Sequence, residues 1–236
     1  MKRIILLIAL WMPLMGFSQD DKMNIHLVFS PNVNWLSTDN TKVTADGNQT
    51  GYLINLLTEF DLGERFGLTA GVGFALLQGG RLKYEQGGNL WNESKLNFPK
   101  ADSLPNGVVL NYRANFFEIP IGLKIKSKEI GKYKFFIQAP ELILGMRTGA
   151  KGIIETGNSS SDKEKINSQV AFFNLAWAIG IGGQYELSDD LYLTGGLRYR
   201  RNISDFTDDS GTYFDGSKEK SKALLNALDI RIGILF

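Results

Sequence analysis

The sequence predicts an all-β chain folded as an eight-stranded antiparallel up-and-down barrel. Three observations carry this expectation. Apolar and polar residues alternate at period two over long segments, which is the pattern of strands with two chemically different faces. The connectors alternate between long and short. The final strand ends on an aromatic residue. Counting back by twos from Phe236 gives Ile234, Ile232, Ile230, Leu228, Asn226 and Leu224, whereas the other register gives Leu235, Gly233, Arg231, Asp229, Ala227 and Leu225.

The amino terminus precedes the barrel as a separate element. Lys2 and Arg3 are a positive start, 4–15 is an apolar run of twelve residues, and Gly16-Phe17-Ser18 offers small residues before a cut. This is the layout of a secretion signal. A spanning helix needs roughly 20 apolar residues, more than this run supplies. Residues 1–18 are therefore expected to be a cleaved signal peptide, and 19–236 a single barrel domain. The chain has no cysteine, so the signal is not of the lipoprotein type and no disulfide can form.

Eight strands follow, at about 24–35, 51–62, 66–84, 112–126, 133–149, 168–187, 191–205 and 222–236. The first has the least pattern. The second brings Glu59 and Asp61, and the third is glycine-rich around Gly71-Val72-Gly73. In the fourth, Phe117, Ile119, Ile121, Leu123 and Ile125 oppose Glu118, Gly122, Lys124 and Lys126. The fifth loses its alternation around Pro140-Glu141-Leu142-Ile143-Leu144. In the sixth, Phe173, Leu175, Trp177, Ile179, Ile181 and Tyr185 oppose Asn174, Ala176, Ala178, Gly180, Gly182 and Gln184. In the seventh, Leu191, Leu193, Leu197 and Tyr199 oppose Thr194, Gly196, Arg198 and Arg200. Pro31, Pro120 and Pro140 fall inside strands of a barrel with no free edge, so bulges are expected there.

Alternation alone does not say which face points outward, because a soluble ligand-binding barrel alternates too. The loops do favour a membrane. Connectors 36–50, 85–111, 150–167 and 206–221 are long and polar, and 63–65, 127–132 and 188–190 are short, as in barrels with tight periplasmic turns and long extracellular loops. The polar faces are rich in Gly and Ala, which suits a crowded lumen. Phe60, Phe66, Tyr133, Tyr185 and Tyr192 near the short turns, with Trp35, Tyr52 and Tyr199 near the long loops, resemble two interfacial girdles. A terminal strand ending in Phe236, with Ile234 and Ile232 on the same face, resembles the signal that barrel-assembly machinery reads. Mean hydropathy is slightly below zero, which a transmembrane barrel permits because its lumen face is polar. The expected location is the bacterial outer membrane, with its lipid as the surrounding partner.

The predicted lumen holds Glu59, Asp61, Glu118 and Asp229 against Lys124, Lys126, Arg198, Arg200 and Arg231. One reading is a structural salt-bridge network, since eight strands leave room for little beyond side chains. The other is a charged path for a small solute. In the second long loop, Trp91 and Phe98 either present a contact surface or fold back over the barrel mouth.

Chemistry finds little support. His26 is the only histidine and sits at the periplasmic end of the first strand, far from any outer-leaflet lipid that a Ser–His site would attack. One His and no Cys do not suggest a transition-metal site. Asp205, Asp208, Asp209 and Asp215 lack EF-hand spacing, so a solvated acidic loop is expected rather than a calcium site. Gly71-Val72-Gly73 lacks the rest of a dinucleotide motif. No catalytic, metal or cofactor residues are assigned. The near-even charge balance, 26 basic and 25 acidic residues, argues against a nucleic-acid partner.

One segment supports a resemblance. Phe116-Phe117-Glu118-Ile119-Pro120-Ile121-Gly122-Leu123-Lys124 resembles a strand common in the small outer-membrane β-barrel family of Bacteroidetes that includes the PorT proteins; Phe17-Ser18-Gln19 and Gly233-Ile234-Leu235-Phe236 also fit. The resemblance implies the fold and the location, in a family where members linked to type IX protein secretion stand beside many of no known role. The expected function is a non-enzymatic interaction or accessory protein in type IX-like secretion or envelope function, favoured by the aromatic loop 85–111, with secretion or envelope proteins as partners. A narrow porin-like transporter and a lipid-modifying enzyme are the alternatives. Mass spectrometry of protein purified from outer membranes is expected to find a chain starting at Gln19; a chain retaining Lys2 and Arg3 would overturn the signal peptide.

Overall fold

The computed structural model describes residues 23–98, 102–157, 159–188, 191–208 and 210–236. The expected signal peptide, 1–18, lies outside the described residues. The barrel strands are β1 (Met23–Thr38), β2 (Gln49–Asp61), β3 (Phe66–Tyr84), β4 (Val108–Lys126), β5 (Tyr133–Thr156), β6 (Phe173–Ser188), β7 (Leu191–Asn202) and β8 (Ala223–Leu235). Each pairs antiparallel with its neighbour in sequence, and β1 pairs with β8 to close the ring. At the seam Phe236 donates its N–H to the Ile25 carbonyl at 2.9 Å, and Ile25 returns the bond at 2.6 Å. Closure leaves no strand edge without a partner, as a hydrocarbon surround requires.

The two faces sort in the membrane sense. Leu27, Ile54, Phe74, Ile121, Ile137, Ile181, Leu197 and Ile230 are all exposed, one on each of the eight strands. The inner face buries Asn32, Asn55, Glu118, Lys124, Gln138, Glu141, Arg198 and Asp229. A soluble barrel would place these sets the other way round. The expected outer girdle is present where Tyr199 lies 6.3 Å from Trp35 and 5.8 Å from Trp177. Near the short turns Tyr133 and Tyr185 stand 4.9 Å apart.

Several boundaries move. β4 begins at Val108 and β5 runs to Thr156, so both extend further on the loop side than the alternation suggested. The expected sixth strand began too early, because Asn167–Gln169 is a 3-10 turn. Of the three prolines only Pro140 sits in a bulge, between the pairs Ala178↔Glu141 and Gly180↔Gln138. Pro31 and Pro120 do not. On one side of each, the ladder skips residues and resumes in the same register, from Phe29↔Ile232 to Asn32↔Asp229 and from Ala70↔Ile121 to Gly73↔Glu118. The missing N–H is thus accommodated by a gap in the ladder, with no extra residue inserted.

Two further bulges interrupt β3 and β5 on either side of β4. The first falls between Ala75↔Phe116 and Gln78↔Ala114, with Leu77 at φ 58°. The second falls between Asn115↔Gly149 and Phe116↔Arg147. Beyond them the outer face of β4 turns polar, with Asn115 and Arg113 following Phe117. Replacing Ile121, the middle of the outward apolar run on β4, with Arg is expected to destabilise the barrel by about 2–4 kcal/mol. Urea unfolding in lipid vesicles measures this; an unchanged midpoint would place β4 outside the bilayer.

Candidate functional site

The lumen is filled in three layers. At the periplasmic end Glu59 is the hub. His26 Nε2 lies 2.9 Å from its Oε2, Lys124 Nζ donates to the same oxygen at 2.6 Å, and Lys126 Nζ lies 3.0 Å from Oε1. Lys126 also pairs with Asp61 at the rim. Register brings the group together: β1 pairs Asn24 with Glu59, and β3 pairs Gly67 with Lys124 on β4 and with Asp61 on β2. The Lys124 ammonium also stands 4.4 Å from the centre of the Phe136 ring. Gly182 makes room for that ring, since a Cβ there would come within 2.4 Å of it. Arg231 forms no ion pair among the described residues; it donates to Gln138 Oε1 at 2.7 Å.

The middle layer is built on two arginines of β7. Arg198 donates from Nε to Asp229 at 2.7 Å and from Nη1 to both oxygens of Glu141 at 3.0 and 3.1 Å. Arg200 donates to Glu118 at 2.6 Å and to Gln78 at 2.5 Å. Asn32 adds an N–H to Asp229 at 3.0 Å. Both guanidinium groups are fully buried, as are their carboxylates. All nine charged residues expected in the lumen are there. Glu141 is a tenth that the lost alternation around Pro140 concealed. It matters because the expected set had four acids against five bases, and Glu141 makes five of each. His26, Gln78 and Gln138 also join the network, where a reading of Asp, Glu, Lys and Arg alone does not include them.

The upper layer is apolar. Leu36, Leu53, Tyr112, Phe116 and Leu225 from the strands pack with Trp91 and Leu104 from the loop after β3, Ile166 and Val170 from the loop after β5, and Phe206 and Tyr213 from the loop after β7. Trp91 Nε1 donates to Tyr112 Oη at 2.9 Å, and the two rings meet edge to face at 5.3 Å. A Cβ on Gly152 would lie 2.4 Å from Trp91. Trp91 is therefore not an exposed contact residue; it folds back over the mouth. Phe98 is partly buried against the same cluster. The Phe206 and Phe116 ring centres lie 6.1 Å apart with the rings tilted at 56°.

The last loop is held down by polar groups. Asp205 accepts from the N–H of Ala223 at 2.9 Å and of Thr207 at 3.2 Å. Burial pushes the carboxyls of Asp205 and Glu219 above their usual range, partly offset by these and similar N–H bonds. Asp215 accepts from Ser217, and Asp209 lies outside the described residues. Ile232, Ile234 and Phe236, the expected assembly signal, are all exposed on the outward face of the closing strand.

Removing one partner of a buried pair leaves the other charge unpaired. Glu141→Ala is thus expected to destabilise the barrel by about 3–5 kcal/mol, with less loss when Arg198→Met accompanies it. Equilibrium unfolding of the single and double variants checks this; additive losses would mean that the pair is not coupled.

Residues 17–208 match the family described as Outer membrane protein beta-barrel domain. Comparison with curated protein sequences gives no match. Among solved structures, the chain is similar to the Neisserial surface protein A at 11% identity, covering 89% of this chain and 95% of that one, with a TM-score of 0.41. It is similar to the attachment invasion locus protein Ail of Yersinia pestis at 12% identity, covering 91% and 99%, with a TM-score of 0.41. OprG of Pseudomonas aeruginosa is 10% identical, with coverage of 91% and 95% and a TM-score of 0.41. The chain belongs to the outer membrane protein β-barrel domain family and is a small integral barrel of the outer membrane.

Proposed function

We propose that the protein is a non-enzymatic interaction protein, an accessory of type IX-like secretion or of envelope function, within the PorT-like group of Bacteroidetes barrels. The observation that supports this reading is the occupied interior. Paired charges fill the lumen from Glu59 to Arg200, and the apolar cluster around Trp91 and Phe206 covers the mouth. The cavity between His26, Lys124, Phe136 and Arg231 measures about 20 Å³, room for roughly one water. A lumen so filled among the described residues leaves the surfaces to act, here the long loops over the mouth and the periplasmic rim.

The motif that carries the family resemblance gains a physical meaning. Its inward residues are Phe116 in the apolar cluster, Glu118 on Arg200, the buried Pro120, Gly122 beside Glu141 and Lys124 on Glu59. Its outward residues, from Phe117 to Leu123, face lipid. The motif thus specifies how the barrel is filled. His26, held by Glu59 at the periplasmic end, does not favour an outer-leaflet lipid enzyme. Phe236 on the closing strand suits recognition by the assembly machinery.

Cross-linking in native outer membranes, followed by mild-detergent purification and mass spectrometry, tests the reading. Stoichiometric recovery of secretion or envelope proteins is expected; recovery of the barrel alone would sink it. Planar-bilayer recordings of the purified protein are expected to be silent, and steady conductance would favour the transporter instead.

A further inference from the structure

The outer surface of β4 and β5 carries a concentration of positive charge that no carboxylate among the described residues pairs with. Arg113 pairs in register with Lys151, and Lys151 pairs on its other side with Lys165 in the short strand Glu164–Lys165. Three cations thus stand side by side across adjacent strands. Like charges directly opposite one another destabilise a sheet. Lys163 lines the same groove, which has a volume of about 420 Å³ and no carboxylate in its lining. None of the four forms an ion pair among the described residues; Arg113 Nε is buried without an acceptor, as is Arg81 Nε, so the two arginines differ in what their outer nitrogens reach. The contrast with neighbouring Arg81 is direct: it reaches Asp46 at 3.2 Å and Glu155 at 2.8 Å.

The groove's height says what could fill it. It opens at the two bulges that straddle Asn115, with Leu77 and Thr148 in its wall. Asn115 fixes both bulges. Its side chain accepts from the Leu77 N–H at 2.9 Å, and its carbonyl accepts from Thr148 Oγ1 at 3.2 Å. Phe117, just below, closes the outward apolar run of β4 and packs at 5.5 Å against Phe74. From Phe117 to Arg113 the strand rises roughly 13 Å, or about 10 Å along the membrane normal after tilt. That is just past the outer limit of the headgroup layer, which extends roughly 5–8 Å beyond the hydrocarbon edge, a gap that long cationic side chains span by reaching back down.

We propose that this groove is an anion site that binds the phosphate of an outer-leaflet lipid, gripped from outside the barrel by Arg113, Lys151, Lys163 and Lys165. The guanidinium offers the in-plane N–H donors that suit phosphate, and the lysines add mobile point charges. A bound phosphate would also relieve the repulsion within the row.

Native mass spectrometry of the purified barrel in detergent tests this, with phosphorylated lipid A as probe against its dephosphorylated form. The phosphorylated lipid is expected to bind about tenfold or more tightly. The triple variant Arg113→Gln, Lys151→Gln, Lys165→Gln should lose that preference while unfolding, without lipid, at a temperature no lower than the parent. Added salt should weaken the parent's binding, a readout that needs no variant. Equal binding of the two lipids would overturn the proposal. So would inorganic phosphate that competes at concentrations similar to the lipid, which would mark a site for free anions.

Discussion

The pairing of β1 with β8 is the constraint on which the rest depends. In hydrocarbon an unpaired backbone N–H or carbonyl costs several kcal/mol, so the ring must close. Once eight strands close, the interior is narrow, and whatever faces inward must fit and be satisfied there. The exchange between Ile25 and Phe236 completes the ladder at the periplasmic end. The final strand can do this only if its register sends Ile230, Ile232 and Ile234 outward, which in turn sends Asp229 and Arg231 inward. The seam therefore also determines what the lumen contains.

That content is a set of charges with close partners. Burying an ion costs several kcal/mol even after relaxation, and the attraction between partners offsets this only with good geometry. Arg198 has such geometry, held between Asp229 and both oxygens of Glu141. The network also ties strands that are not neighbours: Arg198 on β7 holds β5, Arg200 holds β4 and β3, and Lys124 on β4 holds β2. Ladder bonds join only neighbours around the ring. The charges cross it, so the barrel resists collapse and widening alike.

Much of this was legible in the sequence. The strand count, the faces of β4, β6, β7 and β8, and the charged lumen residues all follow from period-two patterning. Glu141 was not, because the extra residue at Pro140 shifts parity and hides which face it occupies. Pro31 and Pro120 misled in the opposite way: a missing donor suggests a bulge, but a local gap in the ladder serves. The early part of β4 escaped for a different reason. From Val108 to Phe116 the inward residues are apolar and the outward ones include Asn115 and Arg113, while from Phe117 onward the chemistry is exchanged. A reading that seeks one apolar face along a whole strand stops where the faces trade places. The ends of the long loops and the burial of Trp91 depend on tertiary contacts with Gly152 and Tyr112 that no local pattern records.

This exchange has a simple physical cause. The inside of a strand is chosen against its outside. Where the outside is lipid, apolar residues face outward and the lumen takes the polar ones. Where the strands rise beyond the bilayer the outside is water, and the ordinary hydrophobic effect returns apolar side chains to the interior. Phe116 and Phe117 mark the crossing: consecutive residues, one packed on Phe206 inside and the other on Phe74 in the lipid band. The bulges at Leu77 and Thr148 fall at the same level. The protein is thus two barrels on one set of strands, an inverted one in the membrane and a conventional one above it. The row of cations outside the crossing sits where the conventional barrel first meets the charged edge of the membrane.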